Sequence, residues 1–521
     1  MQRTRWALTL LASGLFVQMA WAQSKAPVHG QRPAKMVVRN VLVVEGNGTP
    51  AAGPKDIVIE GGVITQIVPF DPVSAGAGPT GLTRGPQRPD GDVIIEGNGR
   101  YVLPGLINLH AHLQEERSFV PMARDYVLKL WLMSGITTVR DVGSVTAKTL
   151  AYREASRKGE LTAPRIFVYP MFGRAKNEQE ARDRIRQIKE QGADGVKFLG
   201  TYRDVLKAAL DEASKLGLRT AHHIGVEETT AWDDINFSAY GSASIEHWYG
   251  IPDAAFKDKT QSFPSGYNYG NEGDRFRYAG RIWREADWAI LDKVLDGMVA
   301  KGVAWDPTLD IYEAGRDLQR AQSQPAFKDY LHPALEEFFA PNLANHGSFY
   351  VNWSSTDEAY WKENYQIWFK ALREFERKGG VIGTGDDAGF IYQIYGFGLL
   401  RNLELHQEAG FHPLKVIQHA TANGAQILGQ AGKLGRVRVG YAADLLVVNG
   451  NPLEDFKSLY QPGTNGNAGT KPGQTGIEWT IKDGITYHVP TLAADVRKIV
   501  AEARAKDKPA PASAAAARPK E

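Results

Sequence analysis

The sequence predicts an α/β protein: a (β/α)8 TIM-type barrel joined to a composite β-sandwich domain built from both ends of the chain. Three observations lead there. Eight short apolar runs in the centre alternate with helix-like stretches, the rhythm of parallel strands covered by helices. Short β-like runs with tight turns fill both flanks. No glycine-rich phosphate loop follows the first central strand, although an open doubly wound sheet usually carries one there.

At 521 residues, with 43% hydrophobic and 23% charged residues, the chain is an ordinary globular protein with room for more than one domain. Arg3 and Arg5 precede a mostly apolar run from Trp6 to Met19, and Ala20-Trp21-Ala22 has the small-x-small pattern of a cleavage site. Residues 1–22 are therefore expected to be a signal peptide, and the mature protein secreted or periplasmic. The apolar run is shorter than a membrane-spanning helix needs. The formal charge of +2 is supplied by the two leader arginines, so neither nucleic acid nor an anionic membrane is the expected partner. A small-molecule substrate is, and self-association stays open. Cysteine is absent, so any metal must be held by His, Asp, Glu or a modified Lys.

The first β portion spans 23–104. Met36–Val44, Ile57–Ile59, Val63–Val68 and Val93–Ile95 read as strands, with turns at Gly61-Gly62 and Gly97-Asn98-Gly99. Gly76 to Gly91 reads as a surface loop. The barrel spans 105–428. Its strands are expected at Leu106–Leu113, Gly135–Asp141, Arg165–Tyr169, Gly195–Leu199, Leu218–His222, Ser242–His247, Gly302–Pro307 and Gly380–Asp387. Helices are expected over Glu178–Gln191 and Tyr202–Leu216, ending near Lys301, and starting near Glu358. Two stretches, 250–286 and 311–356, exceed what a barrel needs and follow strand ends, so they read as lids over the mouth. The second β portion, 429–490, contains Asp444–Asn449 and Trp479–Tyr487 with a turn at Asp483-Gly484. Residues 491–521 read as a terminal helix running into a tail, disordered past about Val500.

The chemistry sits at the strand ends. In a strand over Leu106–Leu113, alternation puts His110 and His112 on one face at the C-terminal end, which is half of a zinc site. Lys197, His222, His247 and Asp387 end four further strands, with equal intervals from Lys197 to His222 and from His222 to His247. A lone strand histidine is usually packed and hydrogen-bonded. A set of polar groups at one rim is harder to explain that way, and a buried lysine is costly unless neutralised.

These motifs resemble the amidohydrolase superfamily, in particular its imidazolonepropionase-like and prolidase-like branch. They are Pro104-Gly-Leu-Ile-Asn-Leu-His-Ala-His112, Ser134-Gly-Ile-Thr-Thr-Val-Arg-Asp141, Gly192-Ala-Asp-Gly-Val-Lys197, Ile245-Glu-His247, Gly385-Asp-Asp-Ala-Gly389, the run from His419 to Gly429, and Gly440-Tyr-Ala-Ala-Asp-Leu445. The resemblance implies two divalent metal ions, zinc foremost. His110, His112 and Asp387 would hold one and His222 and His247 the other, with a carbamate on Lys197 bridging them. Asp387 would be catalytic, taking a proton from water and returning it to the leaving amine. Asp387 is preferred to Asp386 because Ala-Gly follows it, and His222 to His223 because Gly225 stands three residues on. Deaminase members place a glutamate where Gly225 stands, so the resemblance implies hydrolysis of an amide bond, in Xaa-Pro-like dipeptides or N-acyl amino acids. Arg140, Tyr202 and Arg203 lie just beyond strand ends and are candidates to bind a substrate carboxylate. The alternatives are a cyclic-amide or lactone hydrolase, or a non-catalytic binding protein on the same scaffold. His419 reads as structural.

Overall fold

The computed structural model describes residues 25–71, 88–113, 120–225, 228–258, 267, 272–343, 345, 347–464 and 475–507. The expected leader, most of the glycine-rich loop and the chain beyond Asp507 lie outside the described residues. The first flank forms β1 (Lys35–Val43), β2 (Ala52–Glu60), β3 (Val63–Pro69), β4 (Val93–Glu96) and β5 (Tyr101–Pro104). The centre supplies β6 (Leu106–Ala111), β7 (Ile136–Val142), β8 (Arg165–Tyr169), β9 (Gly195–Leu199), β10 (Arg219–His223), β11 (Ala243–Glu246) and β12 (Ala304–Asp306). The last flank adds β13 (Leu445–Asn449), β14 (Gly476–Lys482) and β15 (Ile485–His488).

Both flanks enter one sheet, ordered β15-β14-β13-β5-β1-β2-β3 with β4 paired to β1. The join is antiparallel, with Leu446 opposite Leu103. Alternating side chains of both flanks, among them Met36, Val38, Ile57, Val102, Leu445 and Val447, bury one shared core, as a half-buried sheet requires.

The central strands are parallel, in sets β6-β7-β8 and β12-β11-β10-β9. Every residue of β6 and β7 is buried, the signature of strands covered on both faces. Lys197 N donates to Pro170 O at 2.9 Å and Phe172 N to Lys197 O at 2.7 Å, linking the first set to the second. Beyond β12, Trp305 N donates to Val381 O and Leu109 N to Thr384 O, each at 2.9 Å. The eighth expected strand, Gly380–Asp387, is a correction. Among the described residues it forms no continuous strand: its backbone bonds to Trp305 and Leu109 amount to one isolated bridge, between Ile382 and Trp305. Glycine weakens a strand and marks close backbone approach. A Cβ on Gly383 would stand 2.3 Å from Leu109, and one on Gly385 2.5 Å from His110.

Local signals set the covering helices. Asn177 accepts from Glu180 N at 2.9 Å at the start of helix Glu178–Glu190, and Ser354 with Asp357 forms a capping box on helix Ser355–Arg377. Where described, the two insertions carry short helices joined by turns and coil. Helix Glu272–Ala279 of the first docks on the long helix, with Trp361 Nε1 donating to Phe276 O at 3.0 Å. The terminal helix runs from Val489 to Asp507, beyond the expected onset of disorder at Val500. The reason is a stripe of Leu492, Val496 and Val500, all buried, at the spacing that keeps one helix face on a neighbour. Arg165 of β8 reaches both Asp444 and Asp483, clasping the mixed sheet to the parallel strands.

Candidate metal centre and substrate pocket

Four of the side chains singled out from the sequence converge at the C-terminal ends of the parallel strands. The carboxylate of Asp387 lies 3.0 Å from His112 Nε2, 3.8 Å from His110 Nε2 and 3.9 Å from His247 Nε2. One nitrogen or oxygen from each of His110, His247 and Asp387 falls within 4.8 Å of the other two. Lys197 joins them, its Nζ 3.4 Å from His110 Nε2. Burial pushes this amine down to about 8, against the pull of the Glu246 and Asp387 carboxylates. Asp386 turns away. It accepts from Asn108 Nδ2 at 2.7 Å in the interior, and burial raises it to about 7.

The imidazoles are held from behind. His110 Nδ1 lies 2.7 Å from Glu246, and His247 Nδ1 lies 2.5 Å from the Thr308 hydroxyl. Fixing Nδ1 in this way leaves each Nε2 as the outward nitrogen, the arrangement typical of metal-ligating histidines. Backbone strain gathers here as well. His247, Thr308 and Asp387 have φ of 62°, 44° and 44°, a left-handed conformation that costs non-glycine residues energy and is characteristic of functional sites. Imidazoles, a carboxylate and an amine open to carbamylation suit zinc or a related divalent ion, so the residues present fit the implied group.

Strand β10 departs from expectation. His222 is fully buried with Nδ1 2.7 Å from Asp234, and its ring meets Phe198 edge-on at 5.9 Å. It does not line the pocket. The next residue, His223, does: its ring centroid is 4.5 Å from that of His247, and it stacks on Tyr249 at 5.2 Å. Register decides between them. His222 pairs with Phe198 and His223 with Leu199, and Leu199 shares the pocket face with Lys197.

The expected carboxylate binders are also corrected. Arg140 is buried, donating to Leu109 O at 2.5 Å, to Ser244 at 2.8 Å and to Glu246 at 2.7 and 2.8 Å. It props the centre from below and does not face a ligand. Tyr202 is 70% exposed at the start of helix Arg203–Lys215. Arg203, with a side chain 66% exposed, pairs with Asp233 at 2.7 Å. None of the three lines the cavity of about 140 Å³ above the cluster. Arg275 and Tyr312 do. Both come from the insertions, where no strand-end periodicity could have flagged them. Glu246 lay within the Ile-Glu-His motif, its position before His247 being the available signal.

The amidohydrolase family model matches residues 101–256 and 380–467. The chain is 31% identical over 81 residues to a dihydroorotase of Thermoanaerobacter sp. (strain X514), a stretch covering 16% of this chain and 15% of the relative. It is 42% identical over 57 residues to the ochratoxinase of Aspergillus niger, covering 11% and 12%. These matches span far less than two thirds of either relative. Among solved structures, a Xaa-Pro dipeptidase with bound methionine in its active site matches with a TM-score of 0.57 at 21% identity, covering 87% of this chain and 100% of that one, a likeness of fold. The ordered motifs, the convergence of histidines on Asp387 and the family model agree: the chain belongs to the amidohydrolase family.

Proposed function

We propose that this protein is a secreted or periplasmic metal-dependent hydrolase that cleaves an amide bond in a small substrate, a dipeptide of the Xaa-Pro type or an N-acyl amino acid. The observation that carries this reading is the Asp387 carboxylate set among three imidazoles at the floor of a pocket. The working fold is an eight-unit barrel in which residues 381–384 act as the last stave, supported by their hydrogen bonds to Trp305 and Leu109. The mixed sheet is taken as a sandwich that folds over where β1 shifts register between Val38 and Val43. Secretion rests on the leader-like residues 1–22.

His110, His112 and Asp387 would hold one divalent ion, His247 with His223 in place of His222 the second, and Lys197 would bridge them as a carbamate. Two such ions, zinc foremost, would lower the pKa of water towards about 7 and polarise a carbonyl. Burial keeps part of Lys197 as the neutral amine near neutral pH, the form whose lone pair adds to carbon dioxide, with loss of a proton, to give the carbamate. Asp387, steadied by His112, takes a proton from the attacking water and delivers it to the leaving nitrogen. The apolar walls, Val142, Met171 and Ile391 among them, limit competing water.

Purified protein should hold close to two equivalents of divalent metal and turn over members of a panel of Xaa-Pro dipeptides, other dipeptides and N-acyl amino acids. Turnover of lactones or cyclic amides alone would replace the linear-amide reading. Less than about half an equivalent of metal after replete purification, with no turnover, would leave a binding protein on this scaffold.

A further inference from the structure

Asp387 is carried by a segment that, among the described residues, forms no continuous strand. We infer that Asn108 and Asp386, neither of them placed as a metal ligand, are the positioning residues that set His110 against Asp387 and hold Asp387 in its left-handed backbone conformation. This rests on the metal-hydrolase reading of the same site.

The pairing with β6 breaks at the ligands. Leu109 N donates to Thr384 O at 2.9 Å. In regular parallel pairing the next bond would run from Asp386 N to Leu109 O. That carbonyl accepts from Arg140 Nε at 2.5 Å instead, and a buried N–H needs an acceptor elsewhere. Asp386 N turns to the Asn108 side chain, donating to Oδ1 at 3.3 Å. Asp387 N then donates to His110 O at 2.9 Å, one residue out of step. A slip of one residue exchanges the faces of a strand. Here it leaves Asp387 toward the imidazoles and Asp386 toward the interior.

Asn108 closes the slip. Its side chain is fully buried, and its orientation is forced. Oδ1 meets two donors, His110 N at 3.1 Å and Asp386 N at 3.3 Å, so it is the carbonyl end. Nδ2 is then the end that donates to Asp386 Oδ1, at 2.7 Å. The same Asp386 oxygen accepts from Ala388 N at 3.3 Å. That bond spans Asp387, whose φ is 44°, as an Asx-turn, and a strained backbone persists only where its surroundings over-determine it. His110 is thus held at both ends of its backbone, the nitrogen by Asn108 and the carbonyl by Asp387. Neighbouring carbonyls are held too: Asn402 Nδ2 donates to Gly385 O, and Asn423 Nδ2 to Ile382 O at 2.9 Å. Two ligands of one ion therefore share a ring of hydrogen bonds closed by an amide at 108 against a carboxylate at 386.

The test uses the full-length protein loaded with Co2+, whose visible bands report ligand geometry without turnover. Asn108→Leu, of similar size and with no polar group, should bind Co2+ about 10- to 100-fold more weakly and shift the bands. For whichever amide wild type cleaves, it should lower kcat by up to about 100-fold with KM little changed. The reversed pair, Asn108→Asp with Asp386→Asn, offers the same donor and acceptors the other way round and should return the bands and most of kcat. A pair that only stabilises the fold would lower the melting temperature of Asn108→Leu and leave its bands and kcat as in wild type. That result would overturn the inference, as would a folded reversed pair indistinguishable from Asn108→Leu. Should Asn108→Leu not fold, Asn108→Asp alone, which keeps both acceptor bonds and loses the donor, is read in its place. Failure of the hydrolase reading shows separately, as no amide turnover by metal-loaded wild type, since the bands are compared without substrate.

Discussion

His110 and Glu246 meet at 2.7 Å in the interior, imidazole Nδ1 against carboxylate oxygen, with both side chains buried. Burial works against the Glu246 charge, but the Arg140 guanidinium and the His110 hydrogen bond hold the carboxyl well below its usual range. Glu246 is thus an ionised acceptor that fixes which nitrogen of His110 faces the pocket. Glu246→Gln should weaken divalent-metal affinity by about 10- to 100-fold, measured by competition with a chromophoric chelator. Unchanged affinity would mean that His110 needs no such support.

The two adjacent histidines of β10 should separate cleanly. His223→Ala should lower metal content toward one equivalent and depress kcat, with a melting temperature close to wild type. His222→Ala should keep the metal and instead destabilise the fold, by about 1–3 kcal/mol, because it strands the buried Asp234 carboxylate. Metal analysis and thermal melts on both variants decide it, and the reverse pattern would return His222 to the centre.

Lys197 carries a pH signature. Its amine drops from 10.5 to about 8 on burial, so between those values the unfolded chain binds the extra proton and stability rises with pH. For protein stripped of metal and bicarbonate, denaturant melts should show a gain of up to about 3 kcal/mol from pH 8 to pH 10.5, and Lys197→Met should remove that gain. Lys197→Ala should abolish turnover in the loaded protein, with short carboxylic acids restoring part of it. A variant at wild-type rate would remove the carbamate from the mechanism.

Arg140 and Arg203 should behave oppositely to their expected shared role. Arg140→Met leaves Glu246 ionised and buried without its partner, a loss of about 3–5 kcal/mol. Arg203→Ala removes an exposed pair with Asp233, worth about 0–1 kcal/mol, and should leave KM for every substrate in the panel unchanged. Urea melts and steady-state kinetics read both outcomes.

What was legible in the sequence follows periodicity. His110, His112, Lys197, His247 and Asp387 could be found because a βα repeat returns each strand to the same rim. The choice between His222 and His223 could not, since a one-residue change in register exchanges the two faces of a strand, and the equal intervals around His222 pointed the wrong way. Residues 380–387 read as a strand because Val381 and Ile382 follow a long helix, yet Gly383 and Gly385 serve close packing against Leu109 and His110. Arg275 sits in an insertion whose path depends on tertiary contacts such as Trp361 with Phe276. Val496 and Val500 did have helical spacing in the sequence, but Ala, Lys and Arg around them masked it.

The pairing of Leu103 with Leu446 has a consequence for synthesis. Strand β5 leaves the ribosome with its hydrogen-bonding edge open, and its neighbour β13 follows some 340 residues later, a wait on the order of tens of seconds at typical elongation rates. During that interval an apolar β edge can pair with other chains. Newly made protein should therefore depend on a holding chaperone until the last strands emerge, and a circular permutant that brings β13 next to β5 in order should be released from that dependence.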